Sequence, residues 1–266
     1  LRRCACRPAK LREAELQILV TGACTPLGQT LLRALVARDT LLGALGAAVR
    51  VERIIAVDRT QPARLFVEPR IEYVCGNFEH SRFLARVMGT ATDSIFHLSS
   101  LGAAAGIGGA LQDLDDALMR SLDTTRALVD ACQFQSAQPR LVLASTAAAR
   151  GAGAAPPATA DGICNGMCEL FLIECARRAY IDLRGVRLPP LAGSPAPDAS
   201  VVPLGAGQAP AMVPPAEPAA VSGVTLDAAA QALLAAHEQP RVFPGPAPFT
   251  EVAATGGAGE GGDAGS

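Results

Sequence analysis

The sequence predicts an α/β protein of the Rossmann type, a doubly wound parallel sheet with a small, reduced C-terminal lobe. Short apolar runs alternate with amphipathic helical segments along most of the chain. The first run is nearly continuous in apolar residues, as expected of a parallel strand buried on both faces. A glycine-bearing turn separates it from the first helical pattern.

Leu16–Val20 is the first strand, bounded by Thr21-Gly22, and Leu27, Leu31 and Leu35 mark one face of the helix that follows. Val51–Val57, ending at Asp58, is the second strand, Ile71–Cys75 the third and Ser94–Leu98 the fourth. A long helix carries Leu111, Leu114, Leu118, Leu122, Thr125 and Val129 at steps of three and four. Leu141–Ala144 is a fifth strand, Asn165–Ala179 a helix, and Leu183–Leu188 a sixth strand stopped by Pro189-Pro190. Strands joined by helices at this spacing imply right-handed crossovers. Nine prolines in 189–218 mark a change of character, followed by a helix over Leu226–Glu238 and a short strand at Arg241-Val242-Phe243. The domain organisation read from this is a basic tail (1–15), a dinucleotide-binding type of domain (16–190), a reduced lobe (191–250) and a Gly-rich flexible tail (251–266).

Composition narrows the function classes. A chain of 266 residues, half of them apolar, is long enough to bury a substantial core. A net charge of −2 with no Trp and two Tyr gives no basis for nucleic-acid binding. No apolar stretch reaches bilayer length, so a soluble protein without a transmembrane segment is expected. Cys164, Cys168 and Cys175 have helical spacing but no accompanying His or CxxC, so they are read as packing residues, no metal site is predicted, and a reducing compartment fits best. The first twelve residues carry five positive charges and no acid. They read either as the remnant of an organellar transit peptide, which points to the mitochondrion, or as a solvated basic tail or a fragment boundary, which leaves a cytoplasmic protein.

The turn reads Thr21-Gly22-Ala23-Cys24-Thr25-Pro26-Leu27-Gly28. Glycines between a strand and a helix let backbone approach a pyrophosphate at the helix N-terminus. Here the chain resembles the extended short-chain dehydrogenases and NAD-dependent epimerases, whose motif is TGAxGxxG, except at Thr25. The likeness continues through Asp58, through Gly76-Asn77-Phe78, through Phe96-His97-Leu98-Ser99-Ser100, through Leu143-Ala144-Ser145-Thr146 and through Arg187-Leu188-Pro189. It is greatest to the D-erythronate dehydrogenase-like branch and covers residues 16–190.

The resemblance implies NAD as cofactor, held by Gly22, Thr25, Pro26, Leu27, Gly28, Asp58, Asn77, Phe78, Leu98 and Ser99. Asp58 would accept from the adenosine ribose and favour NAD over NADP, and Asn77 would face adenine. The turn itself argues for a weakened site. Thr25 adds a β-branched side chain and Pro26 lacks an N–H to offer an anion. The alternative is that Gly22 and Gly28 serve strand–helix packing alone.

In the family a Tyr acts as proton donor or acceptor, a Lys four residues later lowers its pKa, and a Ser or Thr hydroxyl orients substrate. Spacing of four puts the Tyr and Lys on one helix face. Matching through Cys168-Glu169-Leu170 puts Thr146, Asp161 and Asn165 at these positions, so no catalytic residue of the family is expected to survive. The only Lys is Lys10, and no Tyr-x-x-x-Lys exists anywhere in the chain. Ser121 likewise replaces an Asn usual in the long helix. The expectation is therefore a catalytically inactive family member, an accessory subunit bound to other proteins of a larger assembly such as a mitochondrial respiratory complex, on the matrix side. The alternative is a divergent NAD-dependent oxidoreductase or epimerase acting on a sugar or sugar acid.

Overall fold

A computed structural model describes residues 15–43, 46–59, 66–77, 79–101, 111–151, 155–191, 223–240 and 249–253. The tail at 1–14, Phe78, the Pro-rich segment from 192 onward, the strand expected at 241–243 and the Gly-rich residues from 254 onward lie outside these.

The first strand, β1 (Glu15–Thr21), is buried throughout from Ile18 to Thr21, and its two faces enter different cores. Ile18 and Val20 join a cluster with Leu27, Leu31 and Leu35 of helix α1 (Pro26–Arg38). Leu19 points the other way, into a cluster with Leu84, Leu128 and Leu172. A strand with helices on both faces must be apolar on both, which is why this run does not alternate. Each such side chain contributes on the order of 2 kcal/mol through removal from water.

Two further strands follow, β2 (Thr40–Leu42) and β3 (Ala48–Asp58), then β4 (Ile71–Cys75), helix α2 (Ser81–Met88) and β5 (Ser94–His97). Next come α3 (Leu111–Leu118), a π turn (Met119–Asp123) and α4 (Thr124–Cys132). Strand β6 (Arg140–Thr146) leads through a 3-10 turn (Ala147–Arg150) to α5 (Ala160–Arg177) and β7 (Asp182–Leu188). Helix α6 (Leu226–Glu238) and β8 (Phe249–Glu251) complete the described elements.

The sheet runs β2-β3-β1-β5-β6-β7-β8, with β4 beside β3. All pairings are parallel except β2 with β3. Chain order reverses between β1 and β5, the switch point at which doubly wound sheets open a crevice beyond their C-terminal edges.

Several expectations change in detail. The helix expected from Asn165 begins at Ala160, capped by Thr159, whose hydroxyl accepts from Gly162 N. This brings Asp161 into its first turn. Asp182 and Arg140 extend their strands outward, and β2, α2 and β8 escaped the sequence patterns because they are short. Glu251, placed in the flexible tail by composition, sits in β8, with Phe249 filling the space that the missing side chain of Gly185 leaves.

The long helix is not continuous α-helix. Ser121 Oγ donates to Ala117 O at 2.8 Å and Thr125 Oγ1 to Ser121 O at 2.7 Å. Thr124 Oγ1 also lies 3.4 Å from Met119 O. Hydroxyls that bond back to carbonyls of the preceding turn loosen the ladder, and here they accompany a π turn. Hydrophobic spacing alone does not register such a local widening.

Candidate functional site

The site lies at the C-terminal edges of β1, β3, β4, β5 and β6. Gly22 ends β1 with φ +69, and a Cβ there would stand 3.0 Å from Ser99 N in the loop after β5. A Cβ on Gly28 would come within 2.3 Å of Gly22 O. Both glycines are therefore required by backbone contact, the first also by its left-handed conformation.

Thr25 caps α1. Its hydroxyl donates to Gly22 O at 2.8 Å and accepts from Gly28 N at 3.1 Å. Its backbone, at φ −69 and ψ 158, suits any residue. Pro26 occupies the first helical position without an N–H, and Gln29 N is already bonded to Thr25 O. In the first turn this leaves Leu27 as the residue whose N–H is removed by neither ring closure nor the cap. Leu27 itself buries its side chain in the core. A helix N-terminus attracts anions through such amides and its dipole, so this turn is a reduced anion cradle.

Asp58 closes the other side. Its Oδ2 accepts from Cys24 N at 2.8 Å and its Oδ1 from Arg59 N at 2.7 Å. Each carboxylate oxygen keeps a further acceptor site for a ribose hydroxyl. Burial, then the Asp58 and Cys75 charges, pushes the Cys24 thiol up to about 12, which makes it a poor nucleophile. Asn77 is exposed and engaged with Glu79, to which it donates through Nδ2 at 3.2 Å while its Oδ1 accepts from Glu79 N at 3.0 Å.

Beyond β5, Leu98 N bonds Thr21 O, and Ser99 Oγ accepts from Thr21 Oγ1 at 3.3 Å. His97 is fully buried between Thr21 Oγ1 (2.7 Å) and Thr125 Oγ1 (2.9 Å), and burial lowers its pKa to about 4. It is a neutral bracket between β1 and α4.

At β6, Thr146 Oγ1 accepts from Ala148 N and caps the 3-10 turn. On α5, Asn165 is buried and donates to Asp161 O at 2.9 Å and Asp161 Oδ1 at 3.2 Å. The structure thus brings Asp161 and Asn165 together as a hydrogen-bonded pair. Asn165 Oδ1 and Ser100 Oγ are buried without a hydrogen-bond partner. The free acceptor sites of Asp58 fit the ribose of a dinucleotide, while the pyrophosphate turn fits it less well.

Sequence patterns did not reveal the network behind this edge. Glu169, two turns beyond Asp161 and nearly buried, accepts from Ser145 Oγ at 2.6 Å and from Arg187 Nη2 at 2.6 Å. Arg187 in turn lies 3.5 Å from Glu251 and stacks over Phe249, 4.8 Å from the ring centre. An isolated Glu in a helix and an Arg in a strand carry no periodic signal, so only their meeting identifies them. Cys164, Cys168 and Cys175 are buried, as the packing reading expects, whereas Cys75 is exposed. Among the described residues no group of His, Cys, Asp or Glu is assembled to hold a metal, and no helix is long and apolar enough to cross a membrane.

The switch point, the glycine turn and Asp58 place the fold in the Rossmann class. Residues 18–164, more than half of the chain, match the model of the NAD dependent epimerase/dehydratase family, and the chain belongs to that family. It is similar to a D-erythronate dehydrogenase of Cupriavidus necator, 31% identical over 190 residues that make up 68% of this chain and 56% of the relative. The chain spans little more than half the length of the curated relatives it matches. Among solved structures, a nucleoside-diphosphate-sugar epimerase of Agrobacterium tumefaciens is 27% identical with a TM-score of 0.56, covering 70% of this chain and 57% of its own. A short chain dehydrogenase of Burkholderia cenocepacia in complex with NADP shares the fold over 92% of this chain and 90% of its own, at 18% identity and a TM-score of 0.57.

Proposed function

We propose that this chain is a divergent NAD-dependent oxidoreductase acting on a hydroxyl of a sugar acid. The observation that carries the reading is the Asp161–Asn165 pair, held on the α5 turn beside a dinucleotide crevice in a chain akin to a D-erythronate dehydrogenase. In this reading Asp58 accepts from the adenosine ribose and the Leu27 N–H faces the pyrophosphate. The bound nicotinamide supplies the hydride acceptor. Asp161 takes the hydroxyl proton, and Asn165 Nδ2 orients its carboxylate. A phenol needs a neighbouring cation to ionise near neutral pH, whereas a carboxylate does not. Replacing a Tyr–Lys couple with Asp161 and Asn165 thus exchanges one proton acceptor for another, weaker in basicity. Thr146 remains as a hydroxyl for substrate orientation.

The test is the appearance of reduced nicotinamide with NAD and D-erythronate or related four-carbon and five-carbon sugar acids. Turnover that falls by about 10²-fold or more in Asp161→Asn supports the reading. No turnover with any such acid by a chain that binds NAD contradicts it.

A second reading has one observation of its own. With Lys10 as the only lysine, the chain has no Tyr-x-x-x-Lys couple. It makes the protein a non-catalytic accessory subunit, and a mitochondrial assembly is consistent with the basic N-terminal residues. Gentle isolation of the native protein separates the two readings, since this one requires a stable multi-protein particle and the first requires turnover by the lone chain.

A further inference from the structure

Arg59 directly follows Asp58, at the place where the chain passes the adenosine ribose in the reading above. Its guanidinium is drawn aside. Nη2 lies 2.6 Å from Glu79 Oε1 and 3.4 Å from Thr124 Oγ1 on α4. Glu79 is held in turn by Asn77, which donates to its other carboxylate oxygen and accepts its backbone N–H. The Glu79 side chain is 14% exposed and that of Arg59 34%. Burial pushes the Glu79 carboxyl up, but hydrogen bonds from Arg59 and Asn77 and the nearby positive charge outweigh it and leave its pKa lowered. Glu79 is therefore a fixed anion.

We propose that Glu79 sets the nucleotide preference of the site by holding the Arg59 guanidinium away from the ribose 2′ position. The proposal rests on the reading that the crevice binds a dinucleotide. A 2′-phosphate adds up to two negative charges beside the Asp58 carboxylate, and an Arg close by is what accommodates it in this class of fold. Here Nη2 of Arg59 is committed to Glu79, so turning the guanidinium toward such a phosphate competes with that ion pair. Asp58 repels the phosphate and Glu79 withholds the compensating charge, so both act against NADP. Asn77 contributes by fixing Glu79.

Calorimetric titration of the full chain with NAD and with NADP tests this in the wild type, Glu79→Gln, Arg59→Ala and the double variant. Glu79→Gln keeps the shape of the pair and removes its charge. It is expected to tighten NADP about tenfold relative to NAD, the scale of one hydrogen bond to a charged group. In the Arg59→Ala background the same substitution is expected to leave the NADP-to-NAD ratio within about twofold, because no guanidinium is there to be released. An unchanged ratio in Glu79→Gln overturns the proposal. An equal gain in both backgrounds also overturns it, since that is what loss of a distant negative charge would do. NAD binding with either of these results leaves the dinucleotide reading standing, whereas no binding of either nucleotide by any variant overturns both.

Discussion

The α1 turn makes a quantitative prediction about the pyrophosphate. Of its first three positions, Pro26 has no N–H and Gly28 N is taken by Thr25 Oγ1 at 3.1 Å. Pairing Thr25→Gly with Pro26→Ala returns two donors to the helix N-terminus. The cost to folding is small. A cap residue exchanged for Gly loses a few tenths of a kcal/mol, and replacing a conformationally fitted Pro loses about 0.4–1 kcal/mol through the unfolded chain. The backbone at Thr25 accepts Gly without rearrangement, so the total is about 1 kcal/mol. The gain is larger, because a hydrogen bond to a charged group is worth about 1.5–3 kcal/mol. Even one recovered contact tightens NAD about tenfold, and two tighten it about a hundredfold. Calorimetry with NAD, ADP-ribose and adenosine reads this out, and the effect is confined to the two phosphate-bearing ligands. An unchanged NAD affinity, or an equal gain for adenosine, refutes the description of the turn as a self-capped anion site.

Glu169→Gln leaves Ser145 and Arg187 facing an uncharged amide in a nearly closed site, and chemical denaturation should show a loss of about 2–3 kcal/mol, moderated because Glu251 also pairs with Arg187. A loss below about 0.5 kcal/mol would show that the network is incidental. Gly28→Ala drives a Cβ to 2.3 Å from Gly22 O and should cost at least about 2 kcal/mol while separating α1 from β1, read by thermal unfolding. His97 and His237 are buried with pKa values lowered to about 4 and about 3. The unfolded chain binds protons first, near pH 6.5, so stability is full above that pH and falls as pH drops toward 4, by about 1.4 kcal/mol per pH unit for each His. Denaturation midpoints measured from pH 7 to 4.5 check the sign, and a flat or rising profile contradicts it.

The fold was legible wherever burial leaves a repeated imprint. β1 and β3 are apolar because helices cover both faces, and α6 falls where a helix was expected, over Leu226–Glu238. Short edge elements such as β2 and β8 have too few buried positions to make a pattern. The π turn depends on which hydroxyl bonds which carbonyl, a matter hydropathy does not record. The site was legible in its backbone parts and less so in its charges. Gly22, Gly28, Asp58 and the Asp161–Asn165 spacing are local in sequence, whereas the hydrogen bonds by which Asn77 holds Glu79 leave no pattern there. The Arg59–Glu79 and Glu169–Arg187 pairs join residues 20 and 18 positions apart on separate elements, so only the fold brings them together.

The central claim is that the crevice still carries oxidoreductase chemistry with a carboxylate in place of the phenol–ammonium couple. Mixing the chain with NAD and D-erythronate and following reduced nicotinamide tests it most directly, with Asp161→Asn as the paired control. Formation of reduced nicotinamide by the wild type and its loss in Asp161→Asn, with NAD affinity retained, is the predicted result. An equal rate in the two proteins, or NAD binding without hydride transfer to it from any sugar acid, would contradict the account.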